Sequence, residues 1–138
     1  MIAYLDSSAL LRLVLGEPGG LADWQAPRHG VTSALTEVEC LRTIDRLRLR
    51  GLLNVEETAR RRAAVYDFLE ALEVIELSPR VIARAAQPFP TPLGTLDALH
   101  LSTALLWCER SEEDLALATH DNELALAARS CGLKVIGA

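Results

Sequence analysis

Acidic side chains stand at four separated points of the chain where short apolar runs end or helical patterns begin. Asp6 directly follows an apolar run of strand length, and Asp121 follows another such run after Thr119 and His120, whereas Glu39 and Asp97 lie in the opening turns of helical patterns. Carboxylates that converge raise each other's pKa by repulsion. A divalent cation such as Mg²⁺ relieves that repulsion, since it prefers carboxylate oxygens. A cation of this kind activates water and stabilises a phosphoryl transition state, so these residue types point to metal-assisted phosphoryl chemistry.

The elements that must position these acids form an alternating pattern of strands and helices. The strands are short and apolar on both faces, which is typical of a parallel sheet covered by helices on both sides. The fold class is therefore predicted as α/β, a three-layer α/β/α arrangement around a central parallel sheet of about five strands. The predicted strands are residues 2–5, 30–33, 74–77, 115–118 and 134–136, and the predicted helices are 9–15, 21–25, 34–50, 55–72, one from Ser78-Pro79 onward, 96–108 and 122–130.

This topology predicts that the acids meet at one edge of the sheet. In a parallel sheet, functional groups collect at the carboxyl ends of the strands, near the point where the strand order reverses. Asp6 and Asp121 follow strands, and Glu39 opens the helix after the second strand. Asp97 lies just past Thr95, the expected N-cap of a helix that must begin at the same edge because it leads into a parallel strand.

Each acid also has a purely local interpretation. Asp6 and Asp121 could be N-caps, Glu39 could complete a capping box with Thr36, and Asp97 could simply favour the helix dipole. The local interpretations are weaker taken together, because no Lys or Arg is adjacent in sequence to Asp6, Asp97 or Asp121 to offset a shared negative charge.

Four segments of the chain, taken in order, resemble the four motifs of PIN-domain ribonucleases, and most closely those of VapC-type toxins of bacterial toxin–antitoxin pairs. The resemblance spans nearly the whole chain, and the ordered set is far more specific than any one segment. The segments are Tyr4-Leu5-Asp6-Ser7-Ser8-Ala9-Leu10, Thr32-Ser33-Ala34-Leu35 running into Val38-Glu39, Leu96-Asp97-Ala98-Leu99-His100-Leu101, and Ala118-Thr119-His120-Asp121.

The resemblance implies a metal-dependent ribonuclease that hydrolyses RNA phosphodiester bonds and leaves 5′-phosphate and 3′-hydroxyl ends. It also implies a Mg²⁺ or Mn²⁺ cofactor, a cognate antitoxin protein that masks the acidic groove, and a homodimer. The alternative is a degenerate PIN domain that binds RNA or a protein partner without catalysis. The implied metal-binding and catalytic residues are Asp6, Glu39, Asp97 and Asp121, with Ser8 and Thr119 as supporting hydroxyls.

Two other acidic folds of this class are excluded by single residues. A haloacid-dehalogenase phosphatase needs a second Asp two residues after the first, where this chain has Ser8. A response-regulator receiver needs an acceptor Asp after its third strand and a Lys at the end of its last strand. Here Ser78 and Pro79 follow the third strand, and Lys134 opens the last one.

Composition bounds the remaining possibilities. The 138 residues correspond to one domain, predicted over 1–138, and 50% hydrophobic with 24% charged residues excludes general disorder. A net charge of −5 excludes a protein that holds nucleic acid by bulk charge alone. Three cysteines without metal or disulfide spacing are expected to be reduced structural thiols. Because we find neither a signal-peptide pattern nor an apolar run of about 20 residues, we expect a soluble cytoplasmic protein without membrane contact.

Several residues near the motifs have competing interpretations. Glu37 is an alternative to Glu39, which is favoured because a hydrophobic residue and Leu-Arg follow it, and Glu37 is expected to be solvated. His100 lies on the face of Asp97 and is expected to be a packed histidine rather than a ligand or base, while His120 is a candidate for substrate contact. We expect Trp24 and Trp107 to pack in the interior or at an interface, and the run Arg60-Arg61-Arg62 to face solvent.

Overall fold

The computed structural model describes residues 1–16 and 28–138, so the helix predicted over 21–25 and Trp24 lie outside the described residues. Within the described ranges, strands and helices alternate as the sequence predicts. In chain order they are β1 (Ile2–Leu5), α1 (Ser7–Leu15), β2 (His29–Ser33), α2 (Ala34–Leu49), α3 (Val55–Glu70), β3 (Glu73–Ile75), α4 (Pro79–Ala85), α5 (Thr95–Ser111), β4 (Ala116–Ala118), α6 (Asn122–Ser130) and β5 (Lys134–Ile136).

The strands form a five-stranded sheet in the order β3-β2-β1-β4-β5, and every neighbouring pair is parallel. The chain builds outward from β1 to β2 and β3 on one side, then returns to build β4 and β5 on the other. The order therefore reverses between β2 and β4, on either side of β1, and that switch point is where an α/β sheet opens its carboxyl edge. The predicted parallel α/β fold is confirmed.

Helices cover the two faces of the sheet, and β1 shows how the sequence allots its side chains between them. Successive strand residues point to opposite faces. Ile2 and Tyr4 pack into one core cluster with residues of α5 and α6. Ala3 and Leu5 pack into a second cluster with residues of α1, α2 and α3. All of β1 is buried, which explains why its sequence shows no polar face.

Helix termini confirm some local predictions and correct others. Asp6 caps α1 and Asp121 caps α6, each accepting a backbone N–H bond. Gly94, rather than Thr95, is the N-cap of α5, because Thr95 is already helical. The proposed box of Thr36 and Glu39 is wrong, since α2 begins two residues before Thr36 with Ser33 as its cap.

Three further predictions concern packing. Trp107 is buried as expected and donates its indole N–H to Glu73. Arg61 does not simply face solvent, because its guanidinium donates to the Val14 carbonyl near the end of α1. Cys40, Cys108 and Cys131 are all free thiols. No helix in the described ranges is long and apolar enough to cross a membrane.

One helix offers a matched test of this packing. Leu124 of α6 is fully buried in the cluster with Tyr4, whereas Leu126, two residues later, is 54% exposed. Leu124→Ala should lower the free energy of unfolding by about 2–5 kcal/mol because it leaves a cavity. Leu126→Ala should change it by no more than about 0.5 kcal/mol. Urea unfolding followed by circular dichroism measures both, and equal losses would contradict the assigned orientation of α6.

Candidate active site

Asp6 is the most buried acid of the site, with 3% of its surface exposed. Its Oδ1 accepts the Ser8 hydroxyl at 2.7 Å and the Ala9 backbone N–H at 2.9 Å, and its Oδ2 accepts the Thr119 hydroxyl at 2.6 Å. Burying a carboxylate is costly unless hydrogen-bond donors replace water. Here three donors do so, and together they fix both oxygens of Asp6.

Strand pairing brings the fourth motif against the first. Leu5 at the end of β1 lies opposite Ala118 at the end of β4, and the Asp6 N–H donates to the Ala118 carbonyl at 3.2 Å. The Thr119 hydroxyl donates to Asp6 and accepts the Asp121 N–H at 3.0 Å. Thr119 therefore links the two aspartates directly, although 115 positions separate them in sequence (from 6 to 121).

Glu39 enters the site from α2 and is held by a histidine of α5. Its Oε1 accepts the His100 ring Nε2–H at 2.6 Å. The other ring nitrogen, Nδ1, lies 2.7 Å from the hydroxyl oxygen of Tyr4 in β1. His100 is 1% exposed and Tyr4 is fully buried, so this series of contacts runs from the interior of the sheet to its carboxyl edge.

Asp97 shows that the four acids act on one another. Partial burial raises its pKa from 3.8 to about 6, and the next largest cause is the negative charge of Asp121; His100 opposes the rise, and Asp6 and Glu39 add smaller increases. Within the described part of the chain, Asp97 accepts no side-chain or backbone hydrogen bond that would offset this repulsion. The topology thus places all four acids in one electrostatic field, and no described Arg or Lys forms an ion pair with any of them.

The remaining residues predicted near the site are placed as follows. Glu37 makes no hydrogen bond to the described residues, and it is not among the main causes of the pKa shift of Asp97. The backbone N–H of His120 donates to Ser8, and its ring Nε2 is buried without a partner in the described ranges. His100 is packed as expected. The sequence did not predict that His100 contacts Glu39 or that Tyr4 contacts His100. One signal was available, because Tyr4 brings a hydroxyl into an otherwise apolar strand two residues before Asp6.

Comparison with known proteins adds the family to this geometry. The family model described as "PIN domain" matches residues 3–130. Ribonuclease VapC46 of Mycobacterium tuberculosis is 36% identical over 96% of this chain and 95% of its own length. Ribonuclease VapC35 of the same species is 39% identical over 96% of this chain and 94% of its own length.

The chain belongs to the VapC ribonucleases of the PIN-domain family. A solved structure with the same fold, described as a toxin–antitoxin complex from Klebsiella pneumoniae, has a TM-score of 0.62 and 20% identity, and covers 97% of this chain and 95% of its own. The family resemblance noted in the sequence is thereby confirmed. The roles of individual site residues in this PIN domain rest on geometry alone.

The donor chemistry of this PIN domain fits a hard divalent cation. The carboxyl edge of its sheet carries carboxylates, and the charges of Asp121, Asp6 and Glu39 add to the effect of burial in raising the pKa of Asp97. No group of three or more His, Cys, Asp or Glu side chains within residues 1–16 and 28–138 is already arranged to hold a metal. Mg²⁺ usually binds through one or two carboxylates and keeps several waters, so it does not need a closed protein cage.

Thr119→Val tests the link between the two aspartates in this PIN domain. The variant keeps the shape of the side chain but leaves Asp6 Oδ2 without its donor, so the free energy of unfolding should fall by about 1–3 kcal/mol. The matched control is Thr58→Val, because the Asn54 carbonyl that accepts the Thr58 hydroxyl also accepts the Thr58 N–H. Urea unfolding compares the two variants, and equal effects would contradict a special role for Thr119.

Asp97→Asn tests the shared charge. Because the native pKa is about 6 rather than 3.8, the native state keeps a proton that the unfolded chain loses between those values. The free energy of unfolding therefore falls as pH rises through this window and stays lower above it. After allowance for solvent screening of a half-buried group, Asp97→Asn should raise stability near neutral pH by about 1 kcal/mol and remove this pH dependence.

The measurement is urea unfolding in the presence of a chelator from about pH 4 to pH 8. The same substitution at exposed Asp67 of α3 is the control and should leave the pH profile unchanged. A wild-type stability that does not fall across this range would show that the pKa of Asp97 is not raised in the native state.

Proposed function

We propose that this protein is a metal-dependent ribonuclease and the toxin of a type II toxin–antitoxin pair. Asp6, Glu39, Asp97 and Asp121 hold a Mg²⁺ or Mn²⁺ ion, and RNA phosphodiester bonds are its substrate. The observation that carries the proposal is the convergence of four acids from four separate segments, expressed in the raised pKa of Asp97. Similarity to proteins named as ribonucleases supports the choice of substrate.

A divalent cation bound here would supply a Lewis acid that activates water and offsets charge developing on the phosphoryl group. Residues of the protein itself hold the carboxylates in position for the cation. Ser8 and Thr119 fix both oxygens of Asp6 before any cation arrives, and Thr119 fixes the backbone of Asp121 relative to Asp6. A site organised in advance avoids reorganisation during the reaction.

Protonation of Asp97 is expected to make cation binding depend on pH. With a pKa of about 6, its carboxyl group is partly protonated at slightly acidic pH when no cation is bound. A ligating carboxylate must lose its proton, so cation binding competes with that proton and displaces it. Cation affinity in this PIN domain is therefore expected to rise as pH increases through about 6.

The partners of the protein follow from the same proposal. The solved structure from Klebsiella pneumoniae is described as a toxin–antitoxin complex, which supports a cognate antitoxin as partner here. We propose that the antitoxin masks the acidic groove, that the toxin forms a homodimer, and that the pair acts in the cytoplasm.

Two glutamates of one helix provide the sharpest test of the activity. Glu39→Gln should lower the rate of RNA cleavage in Mg²⁺ by about 100-fold or more, because it removes a charged ligand of the cation that stabilises the transition state. Each loss of about 1.4 kcal/mol in transition-state stabilisation lowers the rate about tenfold. Glu37→Gln should cleave like the wild type. Asp6→Asn should be as inactive as Glu39→Gln, and a chelator should abolish cleavage by the native chain.

The readout is cleavage of a fluorescent RNA by the purified chain, with analysis of the product ends and of growth arrest on induced expression. Cleavage that survives Asp6→Asn, Glu39→Gln and the chelator would refute the proposed chemistry. RNA binding without cleavage under all metal conditions would instead favour the degenerate PIN domain that only binds.

A further inference from the structure

A buried chain of hydrogen bonds ends on one of the four acids. The hydroxyl of Tyr4 lies 2.7 Å from Nδ1 of His100, and Nε2 of His100 lies 2.6 Å from Oε1 of Glu39. These hydrogen bonds join β1, α5 and α2. Tyr4 and His100 are 96 positions apart in sequence, and Glu39 and His100 are 61 apart. Tyr4 and His100 are both almost completely buried, and their rings meet edge-on with centroids 5.9 Å apart.

The chemistry of the end groups fixes the direction of these bonds. A carboxylate oxygen of Glu39 can only accept, so His100 Nε2 carries a proton and donates it. When the ring proton lies on Nε2, Nδ1 has a lone pair and accepts, and the phenolic O–H of Tyr4 can donate to it. The Tyr4 hydroxyl lies 2.7 Å from His100 Nδ1, and the side chains of Thr103 and Ser33 are further hydrogen-bonding neighbours of it. Tyr4 therefore donates to the imidazole, and the imidazole donates to Glu39.

This arrangement restricts a side chain that would otherwise be mobile. The Glu39 side chain is 22% exposed, and a glutamate has several rotatable bonds whose freedom is lost when it is fixed. The rings of His100 and Tyr4 cannot shift easily. Tyr4 belongs to the central strand, and His100 belongs to α5, which packs into the same core cluster as Tyr4. Oε1 is thus occupied, while Oε2 accepts no hydrogen bond from the described part of the chain.

We propose that Tyr4 and His100 are positioning residues, which hold Glu39 through Oε1 so that Oε2 is presented to the cation. This inference rests on the proposed function. The tyrosine acts through the histidine: without its hydroxyl proton, the imidazole is free to place its own proton on Nδ1. The unprotonated Nε2 would then face the Glu39 carboxylate, lone pair against lone pair.

Tyr4→Phe is the most conservative test. The substitution removes one oxygen atom, and we expect Mn²⁺ affinity to fall about 10-fold with a similar fall in kcat, since partners of metal ligands contribute on that scale. At a Mn²⁺ concentration that saturates both proteins, the KM for RNA should stay near the native value. The chain has just two tyrosines, and the control Tyr66→Phe changes the other one, which is 42% exposed on α3. Titration calorimetry or Mn²⁺ electron paramagnetic resonance measures affinity without reference to activity.

Substitution at His100 separates positioning from packing. His100→Leu fills space but removes both hydrogen bonds, so Mn²⁺ affinity should fall about 10–100-fold. His100→Gln should recover most of that affinity, because its amide N–H can donate to Glu39 while its carbonyl accepts from Tyr4. His29→Gln is the control, since His29 begins β2 at the opposite edge of the sheet and pairs with Glu73.

A double-mutant comparison decides the route of the effect. If Tyr4 acts through Glu39, Tyr4→Phe should cause little further loss of Mn²⁺ affinity in a Glu39→Gln background. Equal losses in both backgrounds would overturn the inference, as would a Tyr4→Phe protein that binds Mn²⁺ like the native chain while the native chain cleaves RNA. If the native chain neither binds Mn²⁺ nor cleaves RNA, the proposed function fails, and this inference fails with it.

Discussion

Mutual repulsion among the acids at the carboxyl edge of the sheet is the constraint around which the surrounding structure is arranged. Three of the acids have hydrogen-bond donors of their own. Asp6 has three donors, Glu39 has His100, and Asp121 accepts the Leu124 N–H at the start of α6. Asp97 accepts no such bond from the described residues, and it is the acid whose pKa the site raises to about 6. Burial and the neighbouring acids therefore act together on the one acid of the four that has no hydrogen-bond donor among the described residues.

Local and functional interpretations of the aspartates turn out to describe the same contacts. Asp6 and Asp121 are N-caps, and the backbone N–H groups that they cap also hold their carboxylates in place. The positive ends of the helix dipoles of α1 and α6 further stabilise negative charge there. An N-cap at the end of a central parallel strand is thus compatible with a cation ligand. Fold stability and proposed chemistry share these two residues instead of competing for them.

The fold and the convergence of the acids could be predicted because both follow from local patterns and the geometry of parallel strands. What could not be predicted depends on side-chain rotamers and long-range contacts. The bond from His100 to Glu39 spans 61 positions, and that from Arg61 to the Val14 carbonyl spans 47. The sequence Thr36-Glu37-Val38-Glu39 matches a capping box, but the preceding strand ends at Ser33, which caps α2 first.

Two of the arginines that follow Glu39 on α2 have their positive charge offset by a neighbouring acid and not directed at RNA. Arg42 and Arg48 both form ion pairs with Asp45, at 3.0 Å and 2.9 Å. Against a net charge of −5, a phosphodiester approaching four acids meets repulsion from the site itself. Under the proposed function, a cation held by the acids cancels part of their negative charge and offers the phosphodiester oxygens a positive ligand. Substrate affinity and metal affinity then depend on each other, because each requires the charge that the other brings.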